Sequence, residues 1–411
     1  MATPFLRPPA VIAFADLEQL LALLLQPQTE AIRQVETTLR SALGQPAFVC
    51  DLFELLQNSQ APELRQLAAV LVRRRIGAHW LKLDQPVRIA LQAVLLNRLS
   101  VEPERIVRRQ MTSVVTVVAR HALPAGQWPE LFGFLIQCTR STAAEHRELS
   151  MFLLASLLES EDVVESSLRQ HFGILGPTLQ TLLADHQNPH VRQATLKAVG
   201  AWTGVLVQEE AISSLQPLLG PMLELCRVAG ASNDEDSLVL AFEIFQEVLE
   251  EPSTSLIGPH LADLIALACG TACASSLEEE TRMAALNLLS RAMESKRKLI
   301  VKKQLVPSIV AQLFEACAND ESGLADSHSD GDGDDDDSVH KRAAQVLHTL
   351  GTSLPSKHAA PPVLEAAMAY SQHASAGKRR AAIIALAMTA EGFSDAYTEH
   401  LAHLLPMLFA G

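Results

Sequence analysis

The densest chemistry in this 411-residue sequence is a run of aspartates. Asp326, Asp330, Asp332, Asp334, Asp335, Asp336 and Asp337 supply seven negative charges in one short segment, half of the formal net charge of −14. Carboxylates at that density repel one another and stay solvated. They also attract a basic partner, at a rate that falls with salt because the Debye length is about 8 Å at physiological ionic strength. The stretch DSHSDGDGDDDD comes near a calcium-binding loop, with Asp326, Asp330, Gly331 and Asp337 at loop positions one, five, six and twelve. His328 is a poor third ligand, Gly333 replaces an apolar residue, and Asp337 is shorter than the usual glutamate. The reading is therefore an acidic loop for a basic partner, without metal. The competing reading is a loop that only solubilises.

Other reactive residues are scattered. Cys269 and Cys273 lie four apart, as do His186 and His190, while His400 and His403 lie three apart. Each pair shares a helix face, but none has a third ligand near in sequence, so buried thiols and surface imidazoles are expected rather than a metal or cofactor site. The six cysteines follow no disulfide or zinc spacing, which fits a reducing cytosolic or nuclear compartment. Nucleotide-binding, nucleophile-elbow and zinc-protease motifs are all absent, so no enzyme is expected. The acidic balance argues against direct nucleic-acid binding, and no apolar run reaches the roughly 20 residues that span a bilayer.

Two basic clusters remain. Arg73, Arg74 and Arg75 end a predicted helix, where they either complement the helix dipole or meet an acidic partner. Lys296, Arg297, Lys298, Lys302 and Lys303 either fold against the acidic loop or serve as a localisation signal.

What must position these residues is a repeat. An arginine followed by an apolar helical pattern recurs at Arg65, Arg108, Arg147, Arg192, Arg282, Arg342 and Arg379, with Val239 in the arginine's place between Arg192 and Arg282. The steps are 43, 39, 45, 47, 43, 60 and 37 residues. A period near 40–47 is that of two-helix repeats, and the step of 60 holds the aspartate run, which is thus an insertion in one repeat. Pro62, Pro103 and Pro189 suit first helical turns, and Asp236 and Glu278 to Glu280 place acid at the positive end of a helix. Neither helix of a pair can bury its apolar face alone, so the pairs must stack. Trp80, Trp128 and Trp202 are expected to anchor that stacking. The fold class is all-α: a right-handed α-solenoid of HEAT repeats, about nine helix pairs plus one unpaired helix. The expected layout is a disordered extension over 1–15, repeats 1–2 over 16–82, repeats 3–8 over 83–319, the acidic insertion over 320–337, and the remainder over 338–411. The uncovered apolar end at Leu404, Leu405, Leu408 and Phe409 reads as a truncated repeat.

Residues 31–80, with Glu36, Leu39, Phe48, the Arg65–Ala69 core RQLAA and Trp80, resemble the N-terminal domain of the importin-β (karyopherin) family. VRRQMTSVVTVVARHALPAGQWPELFGFLIQC, VRQATLKAVGAW and LAFEIFQEVLE extend the resemblance over residues 16–411, toward the importin-4 branch. The resemblance implies a nuclear transport receptor without enzymatic activity, monomeric, moving between cytoplasm and nucleus through nuclear pores. It implies Ran·GTP binding on the inner helices of the early repeats, with Arg73, Arg74 and Arg75 as its possible basic contact. It also implies a role for the acidic loop, which here falls in the eighth repeat. Phenylalanine-glycine nucleoporins on the outer surface of the middle repeats and basic cargo such as ribosomal proteins and core histones complete the implied partners. A static scaffold without Ran dependence and an exportin are the alternatives.

Overall fold

The computed structural model describes residues 9–319 and 338–410, apart from 27–28, 161–162, 164–171, 186, 209–210 and 253. Among them every regular element is a helix and no strand occurs. The chain forms two compact units, Met1–Val205 and Leu206–Gly411.

In the first unit the helices come in pairs. They are α1 (Phe14–Leu24) with α2 (Thr29–Ala42), α3 (Phe48–Asn58) with α4 (Pro62–His79), and α5 (Gln85–Val101) with α6 (Arg105–Ala122). α7 (Glu130–Thr139) with α8 (Ala144–Leu158) and α9 (Phe172–Leu183) with α10 (Pro189–Gln208) complete the set; the end of α10 passes into the second unit. The second helix of one pair packs on the second helix of the next, α4 on α6 and α6 on α8, while first helices pack on first helices, as α3 does on α5. The result is two layers, here called A for first helices and B for second. Val72, Ile76, Val114, Val115 and Val118 are fully buried along the B layer, and Trp80 and Trp128 close the spaces at helix ends. Burying side chains of this size stabilises by about 1.5–3 kcal/mol each.

The second unit repeats the plan. Its pairs are α11 (Gln216–Ala231) with α12 (Glu235–Glu250), α13 (Leu261–Cys273) with α14 (Glu279–Lys302), α15 (Val306–Ala318) with α16 (Val339–Ser353), and α17 (Ser356–Ser371) with α18 (Ala376–Thr389). One further first helix, α19 (Ser394–Ala410), has no second helix. B helices again stack in series from α12 to α18, and A helices from α11 to α19. The chain is thus an α-solenoid of nine pairs and one unpaired helix among the described residues.

The repeating arginine has a structural reason. Nη1 of Arg65 donates to the carbonyls of Ser59 and Gln60, both at 3.1 Å. Arg108 does the same to Glu102 and Pro103 at 2.8 and 2.7 Å. Arg147 reaches Ser141 and Thr142 at 3.0 and 2.9 Å, and Arg379 reaches His373 and Ala374 at 3.1 and 3.0 Å. In each case one guanidinium bridges the carbonyls six and five residues back, in the turn after the A helix. Those carbonyls lie at the negative end of that helix and have no partner within it. Two others bond differently: Arg282 donates through Nε to the Ala272 carbonyl at 3.2 Å, and Arg342 donates to Asn287 Oδ1 at 2.6 Å and Gln345 Oε1 at 2.7 Å.

Cross-repeat bonds hold neighbouring pairs in register. Arg105 meets Glu148 at 2.6 Å and Arg147 meets Asp185 at 2.7 Å. In the second unit carboxylates cap the next B helix: Glu235 Oε2 accepts from the Glu278 N–H at 2.8 Å, and Glu279 Oε1 accepts from the Val339 N–H at 2.9 Å. Residues 9–15, assigned by sequence to a disordered extension, are tied into the fold. α1 starts at Phe14, and Asp51 Oδ2 accepts from the N–H groups of Val11 and Ile12 at 2.8 and 3.0 Å. The buried Asp51 carboxylate supplies acceptors that a reading of local composition does not see.

Candidate partner-binding surfaces

The B helices turn most of their length inward, so what they offer to a partner lies at particular turns. α4 continues four residues past Arg75, to His79, and His79 is the basic residue of its last turn. Arg73, Arg74 and Arg75 are therefore not a helix end, and the dipole, felt within the last turn, does not account for them. All three are exposed, and they make no hydrogen bond or ion pair among the described residues. In the next repeat Arg109 stacks over the Phe152 ring, 5.4 Å from its centroid. Gly77 packs against Val117 and His121, so the cationic turn of α4 lies beside the C-terminal half of α6.

The A layer carries open grooves between successive helices. One, of about 720 Å³, lies between α5 and α7 and is lined by Leu96, Phe134, Ile136 and Cys138, with His146 at its edge. His146 is fixed there: Nδ1 is 3.0 Å from Ser141 Oγ and Nε2 is 3.0 Å from the Ser100 carbonyl. A second groove, of about 470 Å³, lies between α7 and α9 and is lined by Ile174, Pro177 and Leu182. Each has an exposed glycine on its wall, Gly133 and Gly173, where an added Cβ would meet nothing within 4 Å. Sequence reasoning missed these grooves. The usable signal was a glycine inside an otherwise apolar A helix, which costs helix stability and opens space.

The acidic residues Asp326, Asp330, Asp332 and Asp334 to Asp337 lie outside the described residues, as does His186. Among the described residues no group of three or more His, Cys, Asp or Glu side chains is placed to hold a metal, and no helix is long and apolar enough to cross a membrane. The thiols are buried apart from Cys273, which is half-buried. Burial pushes Cys226, Cys269 and Cys317 up to about 12 and Cys138 to about 11, far from reactive. His400 and His403 are exposed.

The second basic cluster divides. Lys296 is buried, 2% exposed, and its Nζ donates to the Glu251 carbonyl. Burial holds its ammonium below the usual lysine range, with Glu251 opposing. Arg297, Lys298, Lys302 and Lys303 are exposed. Lys296 is thus an anchor and not part of a surface. Its inward turn comes from the backbone, which leaves helical geometry at this residue (φ −117°, ψ 24°).

Comparison with known proteins agrees with this architecture. The family described as "Importin-beta N-terminal domain" matches residues 35–100, and "IPO5-like, TPR repeats" matches residues 103–267. The chain is 28% identical to Importin-4 of Mus musculus over 405 residues, which is 96% of this chain and 36% of that relative. It therefore spans about a third of that relative's length. Among solved structures, Kap121p bound to RanGTP superposes with a TM-score of 0.77 at 22% identity, over 95% of this chain and 37% of that one. Kap121p bound to Nup53p gives 0.78 at 21% identity, over 95% and 38%. With two adjoining family matches that run from residue 35 to 267 and a likeness to an importin along nearly its whole length, the chain belongs to the importin-β (karyopherin) family.

Proposed function

We propose that the chain works as a nuclear transport receptor, an importin that binds Ran·GTP and takes basic protein cargo from cytoplasm to nucleus through nuclear pores. The observation that carries this reading is the pair of A-layer grooves. Each is open, with apolar side chains set beside polar ones (Asn97, Gln137 and Arg140 in the first, Thr139, Thr178 and Thr181 in the second), and each is large enough for an aromatic side chain with its flanking glycine. Phenylalanine-glycine nucleoporins present that group repeatedly, and weak contacts to several grooves add through multivalency without slowing exchange.

The other partners take the charged surfaces. Arg73, Arg74 and Arg75 form the basic contact for Ran·GTP. The likeness to a karyopherin solved with RanGTP supports this, as does the absence of any partner for these guanidinium groups among the described residues. The aspartates of 326–337 engage a basic partner, Ran or cargo such as ribosomal proteins and core histones. The receptor acts as a monomer, without cofactor or catalysis.

The deciding experiment immobilises the chain and offers Ran·GTP and Ran·GDP, then adds a core histone. The expected result is retention of the GTP form alone, with histone displaced by it. Equal retention of both forms, or none, points to a scaffold without nucleotide dependence. Histone retained more tightly with Ran·GTP points to an exportin.

A further inference from the structure

The two units differ sharply in charge. Residues 206–411 hold 29 of the 47 acidic side chains and only 14 of the 33 lysines and arginines. Four of those cations, Arg297, Lys298, Lys302 and Lys303, lie within seven residues at the far end of α14. All four are exposed, and none makes a side-chain hydrogen bond or ion pair among the described residues. That is unusual in a unit where carboxylates are twice as frequent as cations.

The backbone sets this segment apart. The break at Lys296 separates residues 297–302 from the rest of α14, and the buried Lys296, bonded to the Glu251 carbonyl, holds the break in place. A side chain inserted at a helix break fixes the direction of the helical segment beyond it. On the neighbouring A helices, Glu315 of α15 meets Tyr370 of α17 at 2.5 Å. The nearest acids in sequence, Glu294 and Glu315, are engaged elsewhere: Glu294 pairs with Arg291 at 3.5 Å, and Glu315 with Lys378 at 2.7 Å.

The aspartates next to α16, Asp334 to Asp337, do not account for the patch. Val339, just beyond the 320–337 segment, is bonded to Glu279 at the opposite end of α14. From Glu279 to Arg297 is about 27 Å along the helix axis. The five-residue span from Asp334 to Val339 stretches to about 18 Å.

We infer that Arg297, Lys298, Lys302 and Lys303 form a docking surface for a short acidic or phosphorylated peptide segment of a partner protein. Compact lysine ammonium groups act as point charges toward carboxylate and phosphate. A long nucleic acid is disfavoured, because its charge recurs every ~1.7 Å and would run off this small patch onto the acidic remainder of the unit. The patch also lacks aromatic residues on which bases would stack.

The test is fluorescence anisotropy on the full chain with a labelled twelve-residue peptide of alternating glutamate and phosphoserine, and with oligouridylate of the same length. Reversal of the patch (Arg297→Glu, Lys298→Glu, Lys302→Glu, Lys303→Glu) weakens peptide binding at least tenfold, with helicity by circular dichroism unchanged. Reversal of Arg73, Arg74 and Arg75 leaves it within twofold. Peptide affinity within twofold of the parent after patch reversal overturns the inference. So does an equal loss in the Arg73–Arg75 variant, or tighter binding of the oligouridylate. A tenfold gain on changing Asp334 to Asp337 into serine would make the chain's own aspartates the occupant and also overturn it.

Discussion

The Arg65 guanidinium grips both carboxylate oxygens of Glu102, with Nη2 at 2.7 Å from Oε1 and Nε at 2.9 Å from Oε2. The Glu102 side chain is fully buried, and Arg98 adds a third contact at 2.7 Å. Burial alone raises the Glu102 pKa. The bonds from Arg65 and the Glu104 N–H, with the Arg98 charge, outweigh that and hold it below the ordinary value of 4.5. A depressed carboxylate stabilises the fold above its unfolded pKa and stops doing so as pH falls through the folded value. Glu102→Gln leaves the buried Arg65 and the half-buried Arg98 without their counter-charge, and a loss of about 3–5 kcal/mol is expected in urea unfolding at pH 7. The variant also loses the part of the stability decline below about pH 4.5 that the parent shows. An unchanged midpoint would remove Glu102 as the link between the second and third repeats.

Glu279 makes a different prediction, because its carboxylate caps a helix that belongs to the next repeat. Glu279→Ala is expected to cost about 0.5–2 kcal/mol, the usual worth of an N-terminal cap. Hydrogen exchange at Val339 and the first turn of α16 rises by roughly tenfold, while α17 and α18 are unaffected. Uniform exchange along the unit would show that the bond is not a local clasp.

Filling a groove separates binding from folding. Gly133 is exposed and open, so Gly133→Leu occupies the space between α5 and α7 without a clash. Helix propensity raises stability by up to about 1 kcal/mol. A phenylalanine-glycine peptide, titrated by NMR, is expected to bind this groove at least tenfold more weakly, with the α7–α9 groove unchanged. Full retention of binding would move the nucleoporin contact elsewhere.

The exposed arginines of α4 carry a prediction about charge alone. Arg73→Glu, Arg74→Glu and Arg75→Glu together change stability by less than about 1 kcal/mol, since surface substitutions without partners contribute little. Affinity for Ran·GTP, read by surface plasmon resonance, is expected to fall at least tenfold with a shallower salt dependence. Retained affinity would assign the Ran contact to other residues.

Thiol chemistry gives a check on packing. Cys138, Cys226, Cys269 and Cys317 are buried, with pKa values raised to about 11–12 by desolvation. Ellman's reagent at pH 8 is expected to leave these four unmodified in the folded chain and to reach all six thiols in guanidinium. Fast native labelling of Cys226 would mean that α11 opens readily.

The helix pairs were legible from sequence because one physical demand recurs. An A helix leaves carbonyls without partners at its end, and an arginine four residues into the B helix answers them, so Arg65, Arg108, Arg147 and Arg379 mark the period. Pro62 and Pro189 begin α4 and α10, as their missing N–H groups allow. Lys296 was misread because charge suggests surface, whereas a helix break turns this one lysine toward a carbonyl of the preceding repeat. The grooves were illegible because their walls come from helices some forty residues apart, and no local pattern records a space between two elements. The surface role of Arg73 to Arg75 depended on where α4 ends, a boundary that sequence places only within a few residues.

The bridging arginines also govern where the chain tolerates extra length. In four turns one guanidinium must span carbonyls five and six positions back, so adding or removing a residue there would pull the donor off its acceptors. Arg342 holds Asn287 of the preceding repeat. The connection ahead of it is the one that admits residues 320–337. Where the arginine bonds elsewhere, as Arg282 and Arg342 do, it sets no such limit on the length of the turn before it.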